Sequence, residues 1–324
     1  MNTDTRRVLL VDAFTDEPLA GNAAGVVPDA AGLSEASMQA IARELGASET
    51  AFVLPVENQD EDADRRLRFF TPTREIDLCG HATVAAHAHL HEVGDLDADT
   101  TTTATNAGAV DVDVESDGTV WMHQTFESVE PVTPDYDRLG GALGIDPEAL
   151  KDVGADLAPA VASTGLRYLL LPVNFLEHLS GADPDHEAIE ALSEEFDLTG
   201  VYAFTFDTLE SESTLHGRMF APAAGIPEDP VTGTASGACA AYLRYVDAFE
   251  GETPSTLRFE QGHFVDRPGY VDVEFVDDAD AEGAAGAAGD RDHGLRVGGR
   301  AVTALDGEVT VPAPDDGGDD IIEA

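Results

Sequence analysis

Two short glycine-containing motifs are the features of this sequence whose residue types and spacing could do chemistry. Residues 80–83 read Gly-His-Ala-Thr, and residues 233–236 read Gly-Thr-Ala-Ser. Each motif leads into a run of small residues with helical character, so each would place unpaired backbone N–H groups at the start of a helix. Such a helix start binds anions, because its N–H groups and the helix dipole both favour negative charge. The pair predicts a binding site for a carboxylate.

The two motifs end longer segments that echo each other. One segment begins at Arg68 (RFFTPTREIDLCGHAT) and the other at Arg218 (RMFAPAAGIPEDPVTGTAS). Both contain an arginine, two apolar residues, a small residue, a proline and a turn before the glycine, and the second has three more residues in the turn. One copy alone would be no more than a tight strand-to-helix turn, in which glycine permits a close backbone approach. Two copies predict two related lobes whose helix starts meet at one cleft.

The elements that must position these motifs alternate along the chain. Hydrophobic patterning predicts helices at residues 34–45, 82–90, 185–196 and 237–245. It predicts strands at 7–14, 49–55, 67–70, 109–114, 120–124, 167–173, 201–206, 215–220, 255–260 and 270–275.

The length of 324 residues suits two domains. We predict an N-terminal lobe over residues 1–128 and a C-terminal lobe over 129–324, with a final strand near 305–313 that returns to the first lobe. The acidic, Ala- and Gly-rich stretch at 277–292 is predicted to be a loop, and the tail from residue 314 to be disordered.

Composition excludes several function classes. Asp and Glu number 64 against 17 Lys and Arg, which gives a formal net charge of −47. No basic stripe is present to meet phosphates, which argues against nucleic acid as a partner. No stretch approaches the roughly 20 apolar residues of a membrane span. Two cysteines fit a reducing cytoplasm, and the N-terminal apolar run is too short for a signal peptide, so a cytoplasmic location is predicted.

The acidic residues are spread along the whole chain. We therefore predict adaptation to a high-salt cytoplasm, as in halophilic archaea, where salt screens the mutual repulsion of the acidic groups. The rival interpretation is an acidic protein that binds cations or basic partners.

At this point the residues match a known family. Residues 11–27 (VDAFTDEPLAGNAAGVV), 38–53, 68–86 and 218–238 resemble the phenazine biosynthesis PhzF-like proteins, and residues 260–269 match more weakly. The resemblance spans nearly the full chain. It implies an α/β (α+β) fold of two similar lobes, as in diaminopimelate epimerase, in which a curved, mostly antiparallel sheet wraps around a central helix in each lobe. It also implies an isomerase that moves a proton on a small carboxylate, aromatic or amino-acid-like, without metal or cofactor, and a homodimer.

The resemblance also implies roles for particular residues. The catalytic glutamate of the family falls on Glu49, its histidine on His81 and its aspartate on Asp229. Its hydroxyl position, usually serine, falls on Thr234, whose extra methyl group could change the shape of the pocket. The predicted substrate-binding positions are Asn22, Gly80, Ala82, Thr83, Gly233 and Ala235. Asn22 is equally compatible with a structural role, and Asp229 is also compatible with a role as a turn-forming residue.

Other catalytic groups are not supported by the pattern. The related epimerases use one thiol in each lobe. Here Cys79 precedes Gly80, but Thr232 occupies the corresponding position before Gly233, and Cys239 lies inside the following helix. A two-thiol racemase is therefore not predicted.

The histidines at 87, 89 and 91 lack a metal-binding motif and are interpreted as surface residues. A lyase or tautomerase on the same scaffold and a non-catalytic ligand-binding protein remain alternatives.

Overall fold

The fold is described from a computed structural model, which covers residues 4–56, 62–126, 128–133, 135–151, 153, 157–276 and 294–311. The helices in these ranges are α1 (Glu35–Leu45), α2 (Gly80–Glu92), α3 (Tyr136–Leu143), α4 (Leu176–Ser180), α5 (His186–Phe196) and α6 (Gly233–Tyr245). The strands of the N-terminal half are β1 (Asp4–Ala13), β2 (Asn22–Val27), β3 (Glu49–Leu54), β4 (Arg65–Phe70), β5 (Glu75–Ile76), β6 (Thr100–Thr105), β7 (Gly108–Val114) and β8 (Val120–Thr125). Those that follow are β9 (Ser128–Pro131), β10 (Ala160–Ser163), β11 (Arg167–Pro172), β12 (Gly200–Thr205), β13 (Leu215–Ala221), β14 (Ile226–Asp229), β15 (Thr256–Gln261), β16 (Gly269–Val276), β17 (Gly294–Gly299) and β18 (Ala301–Val311).

The pairing of the strands repeats between the two halves. In the first, β1–β2 is antiparallel, β2–β3 parallel, β3–β4 antiparallel, β4–β6 parallel, and β6–β7–β8 antiparallel, with β5 beside β4. In the second, β10–β11, β11–β12, β12–β13, β13–β15 and β15–β16–β17 follow the same sequence of directions, with β14 beside β13. The equivalent strands β8 and β17 pair antiparallel and join the halves. The predicted pair of similar, mostly antiparallel lobes is confirmed.

Each lobe has one helix at its centre. Helix α2 contacts β1, β2, β3, β7, β8 and β18, whereas α6 contacts β9, β10, β11, β16 and β17. Both helices consist largely of small residues and are buried over most of their length. Small side chains permit the sheet to lie close on several sides of the helix axis.

The two echoing arginines show why the sequences of the lobes resemble each other. Arg68 forms two bonds of 2.7 and 2.6 Å to Glu75 and lies over the ring of Phe70. Arg218 forms two bonds of 2.9 and 2.7 Å to Glu228 and lies over the ring of Phe220. Each arginine therefore ties the short strand that precedes the central helix to its neighbouring strand.

Several sequence predictions of secondary structure hold and others need correction. The predicted helix at 34–45 is α1, capped by Ser34 as expected. The helix predicted from residue 237 begins earlier, at Gly233, because the Gly-Thr-Ala-Ser motif forms its first turn. The strand predicted near 305–313 is longer, and as β18 it pairs with β1. The loop at 277–292 and the tail from 314 lie outside the described residues. No helix in the described ranges is both long and apolar enough to cross a membrane.

Candidate active site

The structure brings the two glycine motifs together at the junction of the lobes. Gly80 begins α2 and Gly233 begins α6. A side-chain carbon added to Gly80 would lie 3.9 Å from Cγ2 of Thr234, in the first turn of α6, and 3.4 Å from Cε of Met122. The N-termini of the two central helices therefore face each other across a narrow gap.

Neither of these helix starts has a side-chain N-cap. Helices α1, α3 and α5 each have a side-chain N-cap, supplied by Ser34, Asp135 and Asp185. The N-cap residues of α2 and α6, Cys79 and Thr232, form no such bond. The first N–H groups of a helix have no partner inside the helix. The start of α6 therefore keeps donors available for an anion in the gap, and at the start of α2 the Cys79 sulfur lies near the N–H groups of His81 and Ala82.

Glu49, His81 and Cys79 form one side of the gap. Glu49 opens β3, which pairs parallel to β2, and its Oε2 atom lies 3.4 Å from Nε2 of His81. The Cys79 thiol lies 3.4 Å from Nδ1 of His81. Burial raises the pKa of the Cys79 thiol well above its usual range, and the negative charge of Glu49 acts in the same direction. At neutral pH the thiol is therefore protonated.

Asp229 forms the opposite side of the gap, at the end of β14. Its carboxylate accepts hydrogen bonds from Nδ2 of Asn22, at 2.9 Å, and from Oγ1 of Thr232, at 2.5 Å. Nε2 of Gln261 donates to the Asp229 backbone carbonyl at 2.7 Å. Burial raises the pKa of Asp229, while the nearby His81 and these hydrogen bonds lower it. Asp229 is therefore a fixed carboxyl group held close to the charges of the other lobe.

Thr234 carries the hydroxyl group at the start of α6. Its Oγ1 lies 2.7 Å from the hydroxyl of Tyr168, on β11. Burial raises the pKa of Tyr168, so this phenol remains protonated. Its proton can be donated to Thr234, which frees the threonine hydroxyl to donate to a ligand.

The remaining predicted binding residues have different environments. Asn22 has the structural role that the sequence allowed: it is buried, and it connects β2 to Asp229 and to the Val231 carbonyl at 2.8 Å. Ala82 and Ala235 are completely buried. Thr83 directs both its N–H and its hydroxyl to the Cys79 carbonyl oxygen, so this geometry does not favour it as a substrate ligand.

The interpretation of the neighbouring histidines as surface residues is wrong for two of them, because His87 and His89 are buried. Nδ1 of His87 lies 2.8 Å from the Thr83 carbonyl oxygen, and Nε2 lies 2.9 Å from Oγ1 of Thr103. Burial lowers the pKa of His87 to about 4. It is therefore a neutral core residue that joins α2 to β6.

Sequence reasoning missed three residues that hold the site together. Tyr168 and Thr232 carried no signal beyond their place in a strand and before a glycine. Gln261 lies in the segment 260–269, whose resemblance to the family is weak. Tyr168 and Gln261 bond to predicted site residues that are distant in sequence, Thr234 and Asp229, whereas Thr232 bonds to Asp229 three residues before it.

A family model described as "Phenazine biosynthesis-like protein" matches residues 11–307. The chain belongs to this family. It is 38% identical over 272 residues to the "Uncharacterized isomerase YfhB" of Bacillus subtilis, covering 82% of this chain and 89% of that protein. The chain is accordingly an isomerase of this family.

Solved structures agree with the fold. The crystal structure of the Bacillus anthracis phenazine biosynthesis protein of the PhzF family superposes with a TM-score of 0.82 at 33% identity, covering 94% of this chain and 99% of the other. A hydroxyproline epimerase from Agrobacterium vitis, at 15% identity, has a TM-score of 0.60 over 98% of this chain and 94% of its own. At that identity the likeness concerns the fold alone, the two-lobed architecture of the epimerases.

Proposed function

We propose that this isomerase moves a proton between carbon atoms of a small carboxylate substrate by acid–base catalysis, with no resident metal or organic cofactor. The observation that carries the proposal is that two buried carboxyl groups, Glu49 of the N-terminal lobe and Asp229 of the C-terminal lobe, lie close enough to influence each other's charge, beside two helix starts that have no side-chain cap. The gap offers donors for the substrate carboxylate and titratable groups for its carbon-bound proton.

The substrate carboxylate, or the negative charge that develops beside it, would be held by backbone N–H groups of the first turns of α2 and α6. The first bond inside α2 is donated by Thr83 and the first inside α6 by Ser236, so the earlier N–H groups of each helix lack an intrahelical acceptor. Because these donors are fixed before the substrate arrives, they can stabilise charge without reorganisation. We place the anion between Gly80–His81 and Gly233–Thr234.

Glu49 is proposed to take the proton from carbon. A base for this step must be held against the substrate and kept away from bulk water. Glu49 is 9% exposed and is fixed at the first position of β3. His81 then has a charged neighbour on one side and the gap on the other, so it can carry the proton or stabilise the carbanion as it forms.

Asp229 and Thr234 are proposed to bind polar groups on the other face of the substrate. The raised pKa of Asp229 makes it a carboxyl group that can also return a proton. The Thr234 hydroxyl can donate to the substrate when the Tyr168 hydroxyl donates to it. The base and the returning acid thus come from different lobes, which suits removal of a proton from one position and its delivery to another.

The test is proton exchange in heavy water, followed by NMR, with a panel of small aromatic and amino-acid-like carboxylates at molar salt. The isomerase should incorporate deuterium at a carbon-bound position, and Glu49→Gln should fold but lose about 100-fold or more of this rate. The matched control is Glu44→Gln, an exposed glutamate five residues earlier, which should exchange at the unmodified rate. Full exchange by Glu49→Gln would refute the assignment of the base.

The same spectra separate the alternatives. A lyase would release a leaving group and accumulate an unsaturated product, whereas a binding protein would broaden substrate lines without labelling any carbon.

A further inference from the structure

The Cys79 thiol has no part in the proposed proton transfer, yet it lies within the site. It is 9% exposed and sits at the N-cap position of α2, with its sulfur 3.4 Å from Nδ1 and 3.9 Å from Nε2 of His81. The equivalent position in the other lobe is Thr232, whose hydroxyl donates to Asp229. The N-terminal lobe therefore contributes a soft sulfur where the C-terminal lobe contributes an oxygen.

Three different donor types converge at this point. A carboxylate oxygen of Glu49, a ring nitrogen of His81 and the sulfur of Cys79 all lie within 4.8 Å of one another. The oxygen comes from the start of β3, and the other two flank Gly80 at the start of α2. Sulfur, nitrogen and oxygen in a set of three are the ligands that zinc takes in its open, four-coordinate sites.

One donor–donor distance matches such a centre, and a second is a little longer. Ligands at the usual zinc bond lengths of about 2.0–2.3 Å and at tetrahedral angles stand roughly 3.3–3.6 Å apart. Oε2 of Glu49 is 3.4 Å from Nε2 of His81, and the Cys79 sulfur is 3.9 Å from the same nitrogen. The sulfur lies nearer Nδ1, at 3.4 Å, so the imidazole ring must turn before its nitrogen and the sulfur can point at one ion.

We propose that Glu49, Cys79 and His81 form an inhibitory site for a thiophilic divalent cation of the Zn²⁺ class. On binding, the Cys79 S–H bond breaks, its proton leaves to solvent, and a sulfur–metal bond forms with no change of oxidation state. The ion also occupies the carboxylate of Glu49 and a ring nitrogen of His81. The inhibitory part rests on the proposed function, because it follows from withdrawing Glu49 and His81 from proton transfer.

The donor set also predicts which ions are selected. A chain with a net charge of −47 attracts many cations weakly at its surface. Thiolate and imidazole prefer zinc and its transition-metal neighbours, whereas Mg²⁺ and Ca²⁺ prefer oxygen ligands. We expect Mg²⁺ and Ca²⁺ to leave this site unaffected even at concentrations at which they cover the surface.

Cobalt(II) is the probe of choice, since it replaces zinc in tetrahedral sites and shows a thiolate-to-metal absorption band. Tag-free, chelator-treated protein at molar KCl should bind one equivalent with that band, and Zn²⁺ should abolish it. In Cys79→Ala the band should vanish and Zn²⁺ affinity should fall about 100-fold or more, since even indirect partners of a bound metal change affinity roughly 10–100-fold.

The matched control is Cys239→Ala, because Cys239 is the second cysteine, buried in the body of α6. This variant should keep the band and the stoichiometry. A band that survives in Cys79→Ala or disappears in Cys239→Ala, or the absence of saturable one-to-one binding, would overturn the site.

Inhibition is measured separately, as the Zn²⁺ dependence of the deuterium exchange rate. Exchange should stop over the same Zn²⁺ range that displaces cobalt, and Mg²⁺ should have no effect. If Zn²⁺ saturates the site while exchange continues at its original rate, the inhibitory role is refuted. Because the cobalt spectrum requires no turnover, failure to find any exchanging substrate would count against the proposed function and leave the metal site to be decided by binding.

Discussion

Asn22 offers the sharpest test of how the two lobes hold the site. Its Nδ2 atom, on β2, donates to Asp229 at 2.9 Å and to the Val231 carbonyl at 2.8 Å, and the residue is 3% exposed. A buried hydrogen bond to a charged group contributes about 1.5–3 kcal/mol, and one between neutral groups about 1 kcal/mol. We therefore expect Asn22→Ala to lower the free energy of unfolding by about 2–4 kcal/mol and to slow the deuterium exchange, because the Asp229 carboxylate loses a fixed partner.

The chain contains a matched control at Asn106. Its Nδ2 atom also donates to a carboxylate, that of Glu75, at 2.8 Å, but in an exposed position. Asn106→Ala should change the free energy of unfolding by no more than about 0.5 kcal/mol. The assay is urea denaturation followed by circular dichroism at fixed molar salt. If the free energy of unfolding fell equally in the two variants, the argument that burial strengthens the contribution of the Asn22 contact would be refuted.

The stabilisation that Asn22 supplies should depend on pH in a defined direction. Burial raises the pKa of Asp229 above 3.8, and the bond from Asn22 favours its charged form. The stabilisation that Asn22 supplies is therefore complete above the folded pKa and declines as Asp229 becomes protonated. The difference in the free energy of unfolding between the wild-type protein and Asn22→Ala should become smaller as the pH falls toward 4. A difference that grows would contradict the assignment.

Three further predictions concern stability. His87 is buried and neutral with its pKa lowered from 6.5 to about 4, so the unfolded chain takes up a proton first as the pH falls. The free energy of unfolding should fall by about 3 kcal/mol between pH 6.5 and 4. In the same urea assay, that of His87→Gln should fall by measurably less over this range. Arg218→Met should lower the free energy of unfolding by about 3 kcal/mol, because it leaves the mostly buried Glu228 carboxylate without its partner. Arg68→Met, at the more exposed equivalent site, should lower it by about 1 kcal/mol, and a reversed order would refute the role of burial. We also propose that the charge of −47 makes the fold dependent on salt: a drop from molar salt to about 0.1 M lengthens the Debye length from about 3 to 10 Å and should lower the thermal midpoint, whereas an unchanged midpoint would count against salt adaptation.

Local patterns were sufficient for many of the elements. Ser34 followed by apolar residues at helical spacing predicted α1, and the repeated arginine-to-glycine segments predicted two similar lobes. The prediction of helix α6 failed at its start because glycine at residue 233 has low helix propensity, although the pairing of helix and sheet overrides that preference. The short strands β9 and β10 were missed because a strand of four residues carries too little alternation to be recognised.

The sequence by itself determined the family, the pair of lobes and the identity of Glu49, His81 and Asp229 as candidate residues, because those features are written in order along the chain. Only the tertiary structure decided which groups meet. The 2.7 Å contact of Thr234 with Tyr168, 66 positions earlier, depends on how the strands and helix of one lobe pack, and the hydrogen bond of Asn22 to Asp229, across 207 positions, depends on how the two lobes pack. The reason is physical: hydrogen bonds and ligand sets act over about 3–4 Å, and no local pattern specifies a distance between residues so far apart in the chain.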